Sequence, residues 1–491
     1  MSIVAPPPLP PDTTEPAVDP EALTEEARAR QRRRRRRRVG LLLAAAIGLA
    51  VAVVTLHGRS RRVEHLPGGP TVNVDAFAGH GRLAFVSRNT VWVLDGERKT
   101  LRRIAGARGR YPLQPAFSPD GKWLAFVDTG TRPADVAGGA GHNGRLWLAH
   151  GDGSDAHPVA GPEVAELVGW NPSRDVLAVV AGPTSKRVPF GVDTTVRLVT
   201  PDGAVRLLLR ARYVRGAAWS PDGRQLAVVT EDTRLHDTLA AYPIRGGRRT
   251  VWHRFAPGSR LNGMSQILVD PAGWWRGFGI GLWIYGDGMT HNNDATPLDV
   301  VSAPRGEPRF LAKTLSDQTT RVVADGKETL AVVADVSHGV NGGRLVWDAK
   351  QLQLCAPKHA CAPIVADRTT VTLDPAWSPD GTRLAFVEAP DLTSSGWAQP
   401  VLKQWYARHV LRSYDARTHT VRTIPAARGA TAPVWSADGT SMLFVADDGI
   451  WLLEQPGGKP VEIAAPLFSR RNWPAYYGQM AWPSQFAWAS K

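Results

Sequence analysis

The sequence holds only two cysteines among 491 residues, so it cannot carry a disulfide-dense scaffold or a four-cysteine zinc site. Those two thiols have one nearby histidine, His359, and no fourth ligand at a recognisable spacing, so no metal site is expected. No Gly-x-Ser-x-Gly elbow occurs, which removes the usual serine-hydrolase arrangement. The glycine-rich stretch from Ala137 to Gly141 is not followed by Gly-Lys-Ser/Thr, so it does not form a phosphate loop. No cofactor is expected, and no catalytic constellation is legible. Long amphipathic helical patterns are missing from the second half. Glycine (48) and proline (39) are plentiful, and Trp (18) far exceeds Tyr (8). Turn-rich, aromatic-rich chains of this kind favour an all-β fold of many short strands.

The net charge of +14 raises the question of nucleic acid. Part of it is an unbroken arginine run, Arg32 to Arg38, with Arg59, Arg61 and Arg62 following an apolar segment. The other basic residues are scattered, with no basic stripe interleaved with stacking aromatics, so a nucleic-acid partner is not expected. An unspecific attraction to acidic envelope polymers or anionic headgroups is.

Residues 1–38 read as a Pro-rich, then basic, cytoplasmic tail. Val39 to Leu56 is apolar apart from Gly40, Gly48 and Thr55, just long enough to span a bilayer, for which roughly 17 residues is the lower limit. Residues 39–57 are therefore expected to form one transmembrane helix. The seven preceding arginines hold that side in the cytoplasm, so the C-terminal part is expected outside. A cleavable signal peptide is the alternative, opposed by the length of the run and the lack of a small-x-small site before His57. Residues 58–70 are expected as a linker. Outside the membrane, Cys355 and Cys361 would close a small loop as a disulfide; the alternative is two unrelated reduced thiols.

Repeats decide the fold of residues 71–491. An aromatic followed by Ser-x-Asp-Gly and then an apolar run occurs at Phe117, Asp120 and Gly121, and again at Trp219, Asp222 and Gly223. It recurs at Trp377, Asp380 and Gly381, and at Trp435, Asp438 and Gly439, with a degenerate copy at Trp170-Asn171-Pro172. The aromatic ends one buried strand, Pro-Asp-Gly makes a tight turn, and the continuously apolar run is a central strand. Third and fourth strands follow in several copies, as in Val91–Leu94 and Leu101–Ile104. Four antiparallel strands per unit predict the blades of a β-propeller. By subtraction the aromatics lie 53, 49, 58 and 47 residues apart, counting Trp482 as the last. The gap of 158 from Trp219 to Trp377 leaves room for two degenerate blades, with first strands near 266–269 and 321–323. Eight blades is the expected count and seven the alternative. Leu83–Val86 looks like a second strand with no turn motif before it, and Met480–Ser484 like a first strand, so the two ends are expected to share one blade.

These repeats resemble the TolB-like propeller repeat, a WD-type repeat of bacterial envelope proteins and of the propeller domains of prolyl oligopeptidase-like enzymes. The resemblance implies a propeller with protein partners in the envelope. The expected function is an extracytoplasmic, membrane-anchored module that binds an envelope protein or a glycan. The alternatives are a carbohydrate-active hydrolase or lyase with carboxylates at the channel, and a transmembrane sensor. The stretch 274–294 departs most from the repeat and is the candidate binding loop, through Trp274, Trp275, Trp283, His291, Asn293 and Asp294. Packing of the tryptophans between blades is the competing reading. The Asp-Gly aspartates have a sufficient role in their turns.

Overall fold

The computed structural model describes residues 63–65, 69–104, 111–130, 144–182, 194–255, 268–285, 295–315, 322–336, 346–365, 367–392, 402–454, 457–467 and 482–490. The chain divides into Met1–Arg61 and Arg62–Lys491, and every described residue lies in the second part. The tail and the anchor expected at 39–57 fall outside the described residues. Among those described, no helix is long and apolar enough to cross a membrane.

The regular structure of the described residues is almost entirely antiparallel strand, with one short helix at Leu402–Tyr406, and is arranged in eight four-stranded units of the kind that form propeller blades. The apolar runs after each turn become the second strands. In one of them Leu124, Ala125, Phe126 and Val127 are all buried. A strand covered by a neighbouring sheet on each face has no solvent side, so its sequence does not alternate.

Units 2 to 8 open with the first strands Tyr111–Phe117, Val164–Trp170, Tyr213–Trp219, Leu268–Trp275, Val322–Ala324, Thr370–Trp377 and Thr431–Trp435. The two degenerate units thus occur, at Leu268–Trp275 and Val322–Ala324. Unit 1 is built from both ends of the chain. Arg82–Ser87, Thr90–Asp95 and Thr100–Ile104 supply three strands, and Phe486–Ala489 pairs with the first of these.

The shared blade therefore exists, but its C-terminal strand is not 480–484. Trp482–Ser484 is a 3-10 turn, closed by the Gln485 amide donating to the Trp482 carbonyl at 2.8 Å. Pro483 has no N–H to give a ladder, so pairing begins only after it. The expected linker also contributes a strand. Val63–His65 pairs with Thr71–Asn73, which adds to the outer strand Val461–Ala465 of unit 8.

Hydrophobic clusters fill the seams between units. Leu146 and Leu148 pack with Leu177 and Val179 between units 2 and 3, and Leu239 and Trp252 with Ile280 and Leu282 between units 4 and 5. Phe85, Trp92 and Leu94 of unit 1 share a cluster with Leu443, Ile450 and Leu452 of unit 8. There the Ser87 hydroxyl also donates to the Pro466 carbonyl at 2.6 Å.

Candidate functional site

The repeat residues build one end of the sheets. In unit 4 the Ser220 hydroxyl donates to Asp222 Oδ1 at 2.7 Å, and the same oxygen accepts the Arg224 amide at 3.0 Å. The Gln225 amide returns to Ser220 Oγ at 2.9 Å. The same net forms at Ser118–Asp120, Ser378–Asp380 and Ser436–Asp438. Gly121, Gly223, Gly381 and Gly439 close these turns at φ of 68°, 65°, 67° and 69°, a region open to glycine at low cost. The hydroxyl of Ser436, then the amide and hydroxyl of Thr440, hold Asp438 down at about 2. Each aspartate is occupied within its own turn.

The aromatics tie unit to unit. Indole Nε1 of Trp170, Trp219 and Trp435 donates to the carbonyls of Ala116, Gly169 and Ala376, at 2.9, 2.9 and 3.0 Å. Each acceptor immediately precedes the aromatic of the unit before. Trp377 Nε1 is buried with no partner among the described residues; the unit before it opens with the short strand Val322–Ala324. A second set of ties runs from side chains to the turns of the next unit. Arg82 donates to the Gly121 carbonyl at 2.8 Å, Asn171 to Gly223 at 2.6 Å, and Arg383 to Gly439 at 2.8 Å. The Arg383 guanidinium also lies 4.4 Å from the Trp435 ring centroid.

Stretch 274–294 is not one loop. Trp274 and Trp275 end the strand Leu268–Trp275 at the tight-turn end, whereas residues 286–294 join Gly279–Tyr285 to Ala295–Val301 at the other. Trp274 stacks edge-on against Trp252 at 5.1 Å. Trp275 lies over Gly281, where a Cβ would meet its ring at 2.1 Å. Trp283 is buried beside Leu298 and Val300. All three tryptophans pack within and between sheets. His291, Asn293 and Asp294 lie outside the described residues. Cys355 and Cys361 are joined as a disulfide that closes the turn between the third and fourth strands of unit 6.

The charged groups at the opposite end were not found by motif reading. Arg215 Nη2 bonds Glu231 Oε2, and its Nε lies 3.4 Å from Asp237 Oδ1. Glu231 ends the second strand of unit 4 and Asp237 begins the third. Burial pushes Asp237 up to about 6; Arg215 opposes the shift and Glu231 adds to it. Nearby, a Cβ on Gly216 would meet Glu166 of unit 3 at 3.2 Å and Pro271 of unit 5 at 3.2 Å, so three first strands converge there. In unit 6 the fully buried Lys350 lies 3.7 Å from Asp335, and in unit 7 Arg412 bonds Glu388 at 2.6 Å.

Between units 7 and 8 the Asp374 carboxylate accepts the Thr431 hydroxyl and, at 3.1 Å, the Ala432 amide. Asp374 sits in a bulge at φ 49°, as do Gln114 at 55° and Ala432 at 49°. His409 is buried against Trp405 and Tyr406, at ring separations of 4.4 and 4.7 Å. Neither of its ring nitrogens has a partner among the described residues. Burial lowers it to about 4, against the pull of Asp374. The sequence did carry a cue to the bulges. Gln114, Asp374 and Ala432 each precede a proline two residues before the repeat aromatic, and proline in a strand marks an edge or a bulge.

The same end receives the long connections. In units 2, 3, 5, 6 and 7 the second strand is joined to the third there through residues 130–143, 182–193, 286–294, 336–349 and 391–409, the last including the short helix Leu402–Tyr406. At the other end the first and second strands are joined by short turns such as 118–122, 220–224 and 436–440.

No family model matches the sequence, and no curated protein does. Among solved structures the chain is similar to the β-propeller domain of the Trilobed protease from Pyrococcus furiosus, with TM-score 0.41 and 11% identity over 74% of this chain and 99% of that one. It is similar to TolB from Acinetobacter baumannii, with TM-score 0.32 and 15% identity over 72% of this chain and 66% of that one. An oligogalacturonate lyase in complex with manganese gives TM-score 0.38 and 12% identity over 78% of this chain and 85% of that one. These are likenesses, and no activity, ligand or partner follows from them.

Proposed function

We propose that the chain is an interaction module of the bacterial cell envelope. In this reading the eight units close into a ring, held outside the cytoplasmic membrane by a helix at 39–57. The end of the ring that bears the long connections engages an envelope protein or glycan. One observation carries the reading: the two ends are built differently. One is stitched by turn aspartates and side-chain ties from unit to unit. The other collects the long connections, which can vary without disturbing the strands that hold them. The seam between units 8 and 1 supports ring closure. The test is photocrosslinking in intact cells. Probes replace Leu235 and Val410, which are exposed at the long-connection end, or Thr440 at the other. Discrete adducts from the first two and none from Thr440 are expected. Equal adducts from all three, or none, would sink the proposal.

A second reading, a carbohydrate hydrolase or lyase, is favoured by the pairing of Glu231 with Asp237 around Arg215. A carboxyl near 6 can exchange a proton close to neutrality, and paired carboxyls serve glycoside cleavage. Chain shortening of envelope glycan by the intact protein, abolished by Asp237→Asn, would select it; unaltered glycan would dismiss it.

A further inference from the structure

The tight-turn end of units 3 and 4 differs from the same end elsewhere. Its turns are 171–176, 200–204, 220–224 and 244–249, taken with the residue before each and the first two of the strand that follows. They hold six arginines (Arg174, Arg206, Arg224, Arg245, Arg248, Arg249) against three aspartates (Asp175, Asp202, Asp222), a net charge of +3. Taken to the same depth, the described turns of the same end in units 7 and 8 hold Arg383, Arg417 and Lys459 against Asp380, Asp415, Asp438, Glu454 and Glu462, a net charge of −2.

The basic turns form one connected surface. Asn171 holds the Gly223 carbonyl at 2.6 Å, and the Ile244 amide donates to the Arg224 carbonyl at 3.1 Å. Arg206 reaches across to the Ile244 carbonyl. All six arginines are exposed. Two of the three aspartates are engaged locally. Asp202 accepts from Thr200 and the Ala204 amide, and Asp222 from Ser220 and the Arg224 amide. Arg174, Arg245 and Arg248 have no carboxylate partner among the described residues.

We infer that this surface binds an acidic polymer through repeated carboxylates. A four-stranded sheet is about 14 Å across at a spacing of about 4.8 Å per strand, so two adjoining sheet ends exceed the size of any single anion. Guanidinium groups match planar carboxylates in a two-point fork. The surface is poor in the features that nucleic acid and lipid want. Its aromatic, Tyr242, is covered by Arg249, whose Nη1 bonds the hydroxyl at 2.8 Å, which leaves no stacking platform for bases. One large apolar side chain, Leu207, is exposed beside it, which is no apolar face for insertion into lipid. The surface lies at the end opposite the proposed envelope-partner face and does not depend on that reading.

The test uses the full chain with poly-L-glutamate as probe. Binding that weakens as salt is raised is expected. Arg245→Gln with Arg248→Gln and Arg249→Gln should weaken it by about tenfold or more, as the loss of several exposed ion pairs implies. The charge-matched control Arg417→Gln with Arg422→Gln and Lys459→Gln should change it less than about twofold. All these positions are exposed turn or edge sites, so thermal melts should show both variants folded. Equal losses in the two variants would reduce the effect to net charge and overturn the inference. Failure to bind the probe would overturn it too, as would tighter binding to single-stranded DNA or to anionic phospholipid vesicles.

Discussion

The indole Nε1 of Trp219 donates to the carbonyl of Gly169, 2.9 Å away, at the residue that precedes the equivalent aromatic of the unit before. The repeat aromatic is thus a coupling residue between sheets. Trp377 occupies the same place in its own unit, yet its Nε1 is buried without a partner among the described residues.

That difference predicts different costs for one substitution. Trp219→Phe should lose about 1 kcal/mol, the net value of a hydrogen bond whose acceptor is left behind. Trp377→Phe should cost less, because it removes a polar group that is already unpaired. Urea melts of the two variants check this; an equal or larger loss at Trp377 would refute the coupling role.

Glycine in the turns serves two purposes that can be separated. Gly223 has φ +65°, and an added Cβ would lie 2.4 Å from Asn171 Oδ1; Gly326 has φ +78° with open space around it. Gly326→Ala should cost roughly 1–2 kcal/mol from the left-handed backbone alone. Gly223→Ala should cost more, since it also displaces the tie from unit 3 to unit 4. Equal melting shifts would show that the tie contributes nothing.

Two buried groups oppose each other between pH 4 and 6. His409 falls from 6.5 to about 4. Its unfolded form therefore takes up the proton first, and stability is lost as pH falls from about 6.5 to about 4. Asp237 rises from 3.8 to about 6. The folded form holds that proton longer, so its contribution is full below about 4 and is lost as pH rises through about 6. Each shift corresponds to about 3 kcal/mol at about 1.4 kcal/mol per pH unit. The two slopes should largely cancel in the native chain. Asp237→Asn should leave a stability that falls on acidification, and His409→Phe one that rises. Denaturant midpoints at pH 4, 5 and 6 decide it; unchanged slopes in both variants would refute both assignments.

Closing a turn of six residues, the Cys355–Cys361 bridge should contribute about 2 kcal/mol by the chain-entropy relation. The double variant Cys355→Ala, Cys361→Ala should melt lower by that amount. Reduction of the native chain should produce the same shift. Thiol labelling of unreduced protein taken directly from cells is expected to fail; ready labelling would place the domain in a reducing compartment.

Much of the fold was legible because its cause is local. Ser-Pro-Asp-Gly encodes a turn through one proline φ, one left-handed glycine and one aspartate that satisfies nearby donors, and the apolar runs that follow can only be central strands. Repetition then implies the sheet, whatever the residues between. The degenerate unit at Val322–Ala324 was found from spacing alone, with no aromatic to mark it.

What the sequence could not show depends on residues far apart along the chain. Arg215, Glu231 and Asp237 carry no motif; strand pairing within unit 4 brings them together and burial then shifts the aspartate. Trp274 and Trp275 stood out in the sequence only as a departure from the repeat; in the fold they end the strand Leu268–Trp275, and Trp274 packs edge-on against Trp252 of the neighbouring unit. The basic surface likewise joins turns that are separate in the sequence. Local chemistry determined which residues turn and which lie inside strands. Tertiary packing decided which charges meet, because proximity across sheets is set by register and blade order.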